Sequence, residues 1–183
     1  MKSKILYILV GVPGSGKSSY AKKLNSNPLL ICEADNFPGL YNHGKIDFSK
    51  LETAHIYSRM CIEENMKLNK EKIVQSNTNL DPVKLKSYLI LAEKYEYEVH
   101  IILPKYDLLY FEGIKDRKLQ IQHLLSVRGA DRPNSVESHV GYKHIPKEKI
   151  LSMVRKFDKV KPIYEKLTKI HDPEEILKFF KDL

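Results

Sequence analysis

Residues 5–10 form an apolar run with no polar position on either alternation, which predicts a strand buried on both faces. Tyr20, Ala21 and Leu24 then recur at helical spacing, and Asn25-Ser26-Asn27-Pro28 ends that helix. Residues 29–32 read as a second strand that delivers Glu33 and Asp35 to its C-terminal end. Beyond a polar, glycine-containing loop at 36–47, a long helix is predicted over about 50–70, with Leu51, Ala54, Tyr57, Cys61 and Leu68 on one stripe. Residues 73–75 give a short strand. Asp81-Pro82 is a cap followed by proline at the first helical position, and the helix it opens turns Leu85, Leu89 and Ala92 inward. Residues 99–103 form a further strand, stopped by Pro104.

Strands alternating with helices predict an α/β fold with a parallel sheet covered by helices and joined by crossovers. The pattern then changes. Residues 116–127 read as helix and 128–141 as a polar loop, so a helical lid is expected over about 116–146. Pro146 opens another helix through about residue 157, and Asp172-Pro173-Glu174-Glu175 caps a terminal helix with Ile176, Phe179 and Phe180 available for docking. With 183 residues, no linker-like stretch and no repeat, the chain is expected to be a single domain over 1–183.

The glycine-rich stretch after the first strand supplies the chemistry. Gly11-Val12-Pro13-Gly14-Ser15-Gly16-Lys17-Ser18 fills every fixed position of the phosphate-binding loop G-x-x-x-x-G-K-[ST], in the required strand–loop–helix context. Its glycines let backbone N–H groups turn toward phosphate oxygens, and the helix beginning near Ser18 and Ser19 adds its positive end. Lys17 is placed to reach the β- and γ-phosphates, and the Ser18 hydroxyl to ligate Mg²⁺. ATP and Mg²⁺ are therefore the expected cofactors, and the α/β domain over 1–183 is expected to be a P-loop NTPase of the kinase-like kind.

Phosphoryl transfer also needs an activated acceptor and positive charge on the migrating group. Asp35 follows the second strand, where a carboxylate serves as general base, holds Mg²⁺ through water, or simply caps a turn. Ser76-Asn77-Thr78-Asn79 ends the third strand without the carboxylate often found there, so metal binding leans on Ser18 and water. Asn77 and Thr78 either bond substrate, orient Asp35 or close a strand-to-helix turn. His55 and Arg59 lie one helical turn apart and either face an acceptor groove or satisfy local contacts; Tyr41, Tyr57 and Tyr142 either stack bases or pack.

Charge widens the picture only slightly. The formal net charge of +8 permits a nucleic-acid partner, although the lysines are scattered along the whole chain as on any solvated surface. Arginine is scarce: Arg59, Arg117, Arg128, Arg132 and Arg155 are all there are. Cys32 and Cys61 stand apart, with no partner at metal-ligand spacing, which fits a reducing cytoplasmic setting. No apolar stretch approaches membrane-spanning length, and the short run after Met1-Lys2-Ser3-Lys4 is a strand rather than a signal segment.

In order along the chain, GVPGSGKSSYAKKL from Gly11, the Asp35 segment, VQSNTNLDP from Val74 and GYKHIPKEKILSM from Gly141 resemble the phage-type 5'-hydroxyl polynucleotide kinase family and related small P-loop ATPases. The resemblance covers nearly the whole chain. It implies that Lys17 and Ser18 serve ATP and Mg²⁺, that Asp35 is the general base on a 5'-hydroxyl, and that a lid closes over ATP. Gly11, Pro13, Gly14, Ser15, Gly16, Ser19, Arg128 and Lys143 would then join Lys17 and Ser18 around the nucleotide, with Arg132 the candidate lid arginine in catalysis.

Three departures qualify it. Asn77 stands where the family's D-T-N motif has an aspartate, residues 36–39 lack the arginine expected after Asp35, and Val140 replaces an arginine before Gly141, with Arg128, Arg132, His139 or Lys143 as substitutes. The expected acceptor is a single-stranded 5' end of RNA or DNA. A small hydroxyl or phosphate compound, or an ATP-binding module with little transfer, are the alternatives. No D-x-D-x-T phosphatase or K-x-D-G ligase motif is present in the sequence, so further end-healing would need a partner protein.

Overall fold

The computed structural model describes residues 3–42, 45–104, 121–122 and 145–181. The lid expectation at about 116–146, with Arg128, Arg132, His139, Val140, Tyr142 and Lys143, lies outside these residues.

The first apolar run forms β1 (Ile5–Leu9), followed by α1 (Lys17–Leu24) and the short strand β2 (Ile31–Cys32). A two-stranded antiparallel hairpin, β3 (Tyr41–Asn42) and β4 (Lys45–Ile46), occupies the segment read as loop. Then come α2 (Leu51–Lys67), β5 (Lys72–Gln75), α3 (Lys86–Lys94), β6 (Glu98–Ile102), α4 (Lys147–Leu167) and α5 (Pro173–Phe179). The main sheet has the order β2-β5-β1-β6 with every pair parallel, so β1 is central and its C-terminal end opens beside those of β5 and β6.

Alternation along each strand sorts the core onto two sheet faces. Leu6 and Ile8 of β1, Ile73 of β5 and Val99 and Ile101 of β6 share one face, where they meet Ile62 and Met66 of α2, Leu89 and Ala92 of α3, Tyr164 and Leu167 of α4 and Ile176 of α5. Leu9 and Val74 point the other way, onto Ala21 of α1. The result is a parallel sheet flanked by helices on both sides.

The predicted helical face of α2 is rotated in the structure. Ala54, Ser58, Ile62 and Met66, spaced by four, form its buried stripe, whereas Leu68 is 66% exposed and Tyr57 sits at the surface. Periodicity admitted both faces; contact with the sheet selected the one carrying Ile62 and Met66. Two boundaries also moved. Pro28–Leu30 is a 3-10 turn rather than the start of β2, capped by the Asn27 side chain, and α4 runs ten residues past the expected stop at 157. Pro162 removes one backbone donor inside α4, but Tyr164 and Leu167 beyond it are fully buried, and their packing carries the helix on. Among the described residues no helix is long and apolar enough to cross a membrane.

Polar bonds at the end of β5 tie these layers together. Gln75 is fully buried and exchanges amide bonds with Asn79, 3.1 Å from Gln75 Nε2 to Asn79 Oδ1. Asn79 Nδ2 also donates to the Leu9 carbonyl at 2.7 Å, and the Tyr164 hydroxyl of α4 donates to the Asn79 carbonyl at 2.5 Å. Tyr164→Phe leaves that carbonyl without its donor, and a loss of about 1–3 kcal/mol is expected. Urea unfolding should show a lower midpoint with an unchanged slope.

Candidate functional site

The loop between β1 and α1 is built by backbone geometry that side chains disfavour. Gly14 and Gly16 have φ of 85° and 75°, in the left-handed region, and Gly16 is the N-cap of α1 with no side-chain cap. The first turn of α1 therefore presents its amides without a competing cap oxygen. Gly11 meets a different constraint: a Cβ there would stand 2.5 Å from Ser15 Oγ and 3.3 Å from Ser15 Cβ. Ser15 can pack this closely against the start of the loop because residue 11 has no side chain.

Lys17 is 8% exposed and donates to the carbonyls of Gly11 at 2.9 Å and Val12 at 2.8 Å, so its ammonium is curled over the loop it would share with a phosphate chain. The buried hydroxyls of Ser15 and Ser76 have no hydrogen-bond partner among the described residues. An unmet buried hydroxyl is costly unless a ligand or water satisfies it. Together with the left-handed Gly14 and Gly16 and the uncapped helix end, these hydroxyls fit a phosphate-bearing nucleotide. For a metal the donor set is sparse: no cluster of three or more His, Cys, Asp or Glu side chains suited to an ion occurs among the described residues. A divalent ion beside Ser18 would take its remaining ligands from phosphate oxygens and water, which is the habit of Mg²⁺.

The loop forms one wall of a cavity of about 350 Å³, which Pro13, Gly14, Gly16, Lys17, Ser18 and Ser19 line from the phosphate side. Glu33, Asp35, Tyr41 and His55 line the opposite side, and Ser76, Asn77 and Thr78 the floor between them. Asp35 lies in a 3-10 turn, Ala34–Asn36, immediately beyond β2, and Tyr41 donates to its Oδ1 at 2.9 Å. Tyr41, read as a packing or stacking residue, is thus a partner of the candidate base. His55 sits at the rim. Desolvation first, and the Lys84 charge second, push its imidazole below the ordinary value, against a smaller upward pull from Asp35, so it is neutral near pH 7. Arg59, one turn on, does not line the cavity.

Asn77 resolves one of the open readings. Its Oδ1 accepts from the Ala34 N–H at 2.8 Å and its Nδ2 donates to Ser58 Oγ at 3.2 Å, so it braces the turn carrying Asp35 against α2. An aspartate at 77 would accept from the same N–H and from the Ser58 hydroxyl, which accounts for amide and carboxylate filling the same place. Thr78 contributes through its backbone, its carbonyl accepting from the Gly11 N–H at 3.1 Å. Ser58, Phe48 and Lys149 were not singled out by sequence; each acts through a contact far along the chain, for which the sequence carries no local signal.

A profile of the AAA domain family matches residues 6–123, from β1 past the end of β6. The chain belongs to the AAA domain family. It is a P-loop, kinase-like nucleotide-binding domain, in agreement with the parallel sheet and the loop geometry above. Human NEDD4-binding protein 2 is 32% identical over 97 residues, a stretch amounting to 52% of this chain and 6% of that protein. This AAA domain thus spans a small part of the curated relative's length.

Two substitutions test the construction. Gly11→Ala should weaken nucleotide binding by about 1–3 kcal/mol through the clash with Ser15 while far-UV circular dichroism stays as in the parent, read by titration calorimetry. Asn77→Ala strands the buried Ala34 N–H and Ser58 hydroxyl and should cost about 1–3 kcal/mol in chemical unfolding, with Asn77→Asp retaining more of the parent stability.

Proposed function

We propose that this AAA domain transfers the γ-phosphoryl group of ATP to a 5'-hydroxyl end of RNA or DNA. The observation that carries the reading is that the phosphate loop and Asp35 line one and the same cavity. The resemblance to phage-type polynucleotide kinases, spread over four ordered segments, supports the same acceptor.

In this reading the Asp35 carboxylate, oriented by Tyr41, accepts the proton of the acceptor hydroxyl as its oxygen bonds to the γ-phosphorus. The bond from that phosphorus to the β–γ bridging oxygen breaks, and ADP leaves with its charge met by Lys17 and the loop amides. Lys17 exchanges its present carbonyl partners for phosphate oxygens, a short swing for a flexible side chain. Ser18 would hold Mg²⁺, which when bound neutralises charge on the β- and γ-phosphates. Neutral His55 adds no second positive charge that would draw Asp35 away from its proton-accepting role.

A second reading, a small hydroxyl compound as acceptor, is favoured by the sequence Asn36-Phe37-Pro38-Gly39, which has no arginine to grip a polynucleotide phosphate. Single-turnover transfer from γ-labelled ATP to 5'-hydroxyl RNA, matched DNA and free nucleosides separates the two. Labelled oligonucleotide is expected, with Asp35→Asn lowering the rate by about 10²–10⁴-fold at little cost in ATP affinity. Transfer that survives Asp35→Asn, or label on no oligonucleotide, defeats the reading.

A further inference from the structure

Besides Lys17, only one lysine or arginine among the described residues lines the cavity, and it is Lys149. Lys149 stands in the first turn of α4, an element brought against the phosphate loop by Val12 packing on Ile150 and Val154. From there its ammonium reaches across to Phe48, 5.8 Å above the ring centroid. Phe48 belongs to the turn leading into α2, and its side of the cavity also carries Tyr41, Ile46, Leu51 and His55, hence Asp35's side rather than the phosphate loop's. Phe48 is 53% exposed and lines the cavity, so its ring is accessible to a ligand there.

We infer that Lys149 and Phe48 form the acceptor-binding edge of this site, Lys149 gripping the phosphate on the 3' side of the attacked nucleotide and Phe48 packing on its base. The inference rests on the polynucleotide reading above and makes it more specific. Lys149 supplies the cation that residues 36–39 lack, from an element more than a hundred positions further along the chain. A base on Phe48 and a phosphate on Lys149 occupy neighbouring places at the mouth, which suits one nucleotide unit presenting its 5'-hydroxyl inward to Asp35. An ammonium is a point donor, so the grip selects for charge rather than for the planar geometry an arginine would read.

The test compares a nucleoside 3'-monophosphate, the corresponding nucleoside, and an oligonucleotide with an abasic 5' residue, as acceptors for the parent protein, Lys149→Met and Phe48→Leu. Lys149→Met keeps most of the apolar stem and should raise KM for the 3'-monophosphate about tenfold more than for the nucleoside. Phe48→Leu should raise KM for base-bearing acceptors more than for the abasic one. Equal loss of kcat on every acceptor would overturn the inference and assign Lys149 to the migrating phosphoryl group; unchanged KM in both variants would overturn it as well. Should the parent protein label no acceptor, the transfer reading falls by itself, and calorimetric titration of the 3'-monophosphate decides the inference: weaker binding to Lys149→Met upholds it, and equal binding overturns it.

Discussion

Amide side chains at the end of β5 hold the two walls of the cavity in register. Asn79 reaches back to the carbonyl of Leu9, where β1 gives way to the phosphate loop, and Asn77 reaches sideways to the N–H of Ala34, in the turn that carries Asp35. Both are satisfied in turn by buried groups, Gln75 and the Ser58 hydroxyl. In a low-dielectric interior such bonds are directional, and leaving one unmade costs more than making it gains. The register of the phosphate loop against Asp35 therefore depends on Asn77 and Asn79, two and four residues beyond the end of β5 at Gln75, whose bonds have a sense of direction that apolar packing lacks.

The parallel sheet makes this arrangement possible. Because β5 lies between β1 and β2, one loop touches both neighbours at the same edge, and parallel strands bring all their C-terminal ends there together. Helix α4 closes the third side. It is pinned at one end by Val12 contacts with Ile150 and Val154 and at the other by Tyr164, whose hydroxyl binds the same Asn79 carbonyl region that the β5 amides organise. A residue at the start of α4, such as Lys149, is thereby held at a set distance from the phosphate loop.

Electrostatics divides the cavity along the same line. The phosphate side offers uncapped helix amides and Lys17, whereas the opposite side holds two carboxylates and a neutral imidazole. The phosphate chain of a nucleotide is drawn to the side of Lys17 and the loop amides, while the other wall offers carboxylate oxygen and apolar surface. The net charge of +8 acts on encounter with anions and not on this internal division, since charges beyond a Debye length are screened.

Local signals in the sequence were enough for the phosphate loop, the strands around it, the caps at Asp81 and Asp172, and the inward Leu85, Leu89 and Ala92, because turn glycines, caps and short-period apolar repeats are set by neighbours along the chain. The family resemblance also singles out Asp35, which lines the cavity. What sequence left open was which face of α2 is buried, whether Asn77 supports a turn or meets substrate, and how far α4 continues past Pro162. Those depended on tertiary contacts: the sheet chose Ile62 and Met66 over Tyr57 and Leu68, Ser58 and Ala34 took both ends of the Asn77 amide, and the burial of Tyr164 and Leu167 outweighed the lost backbone donor of a proline. Lys149 and Phe48 show the limit most plainly. Their meeting depends on the path of the whole chain between them, and periodicity along one segment carries no information about such a path.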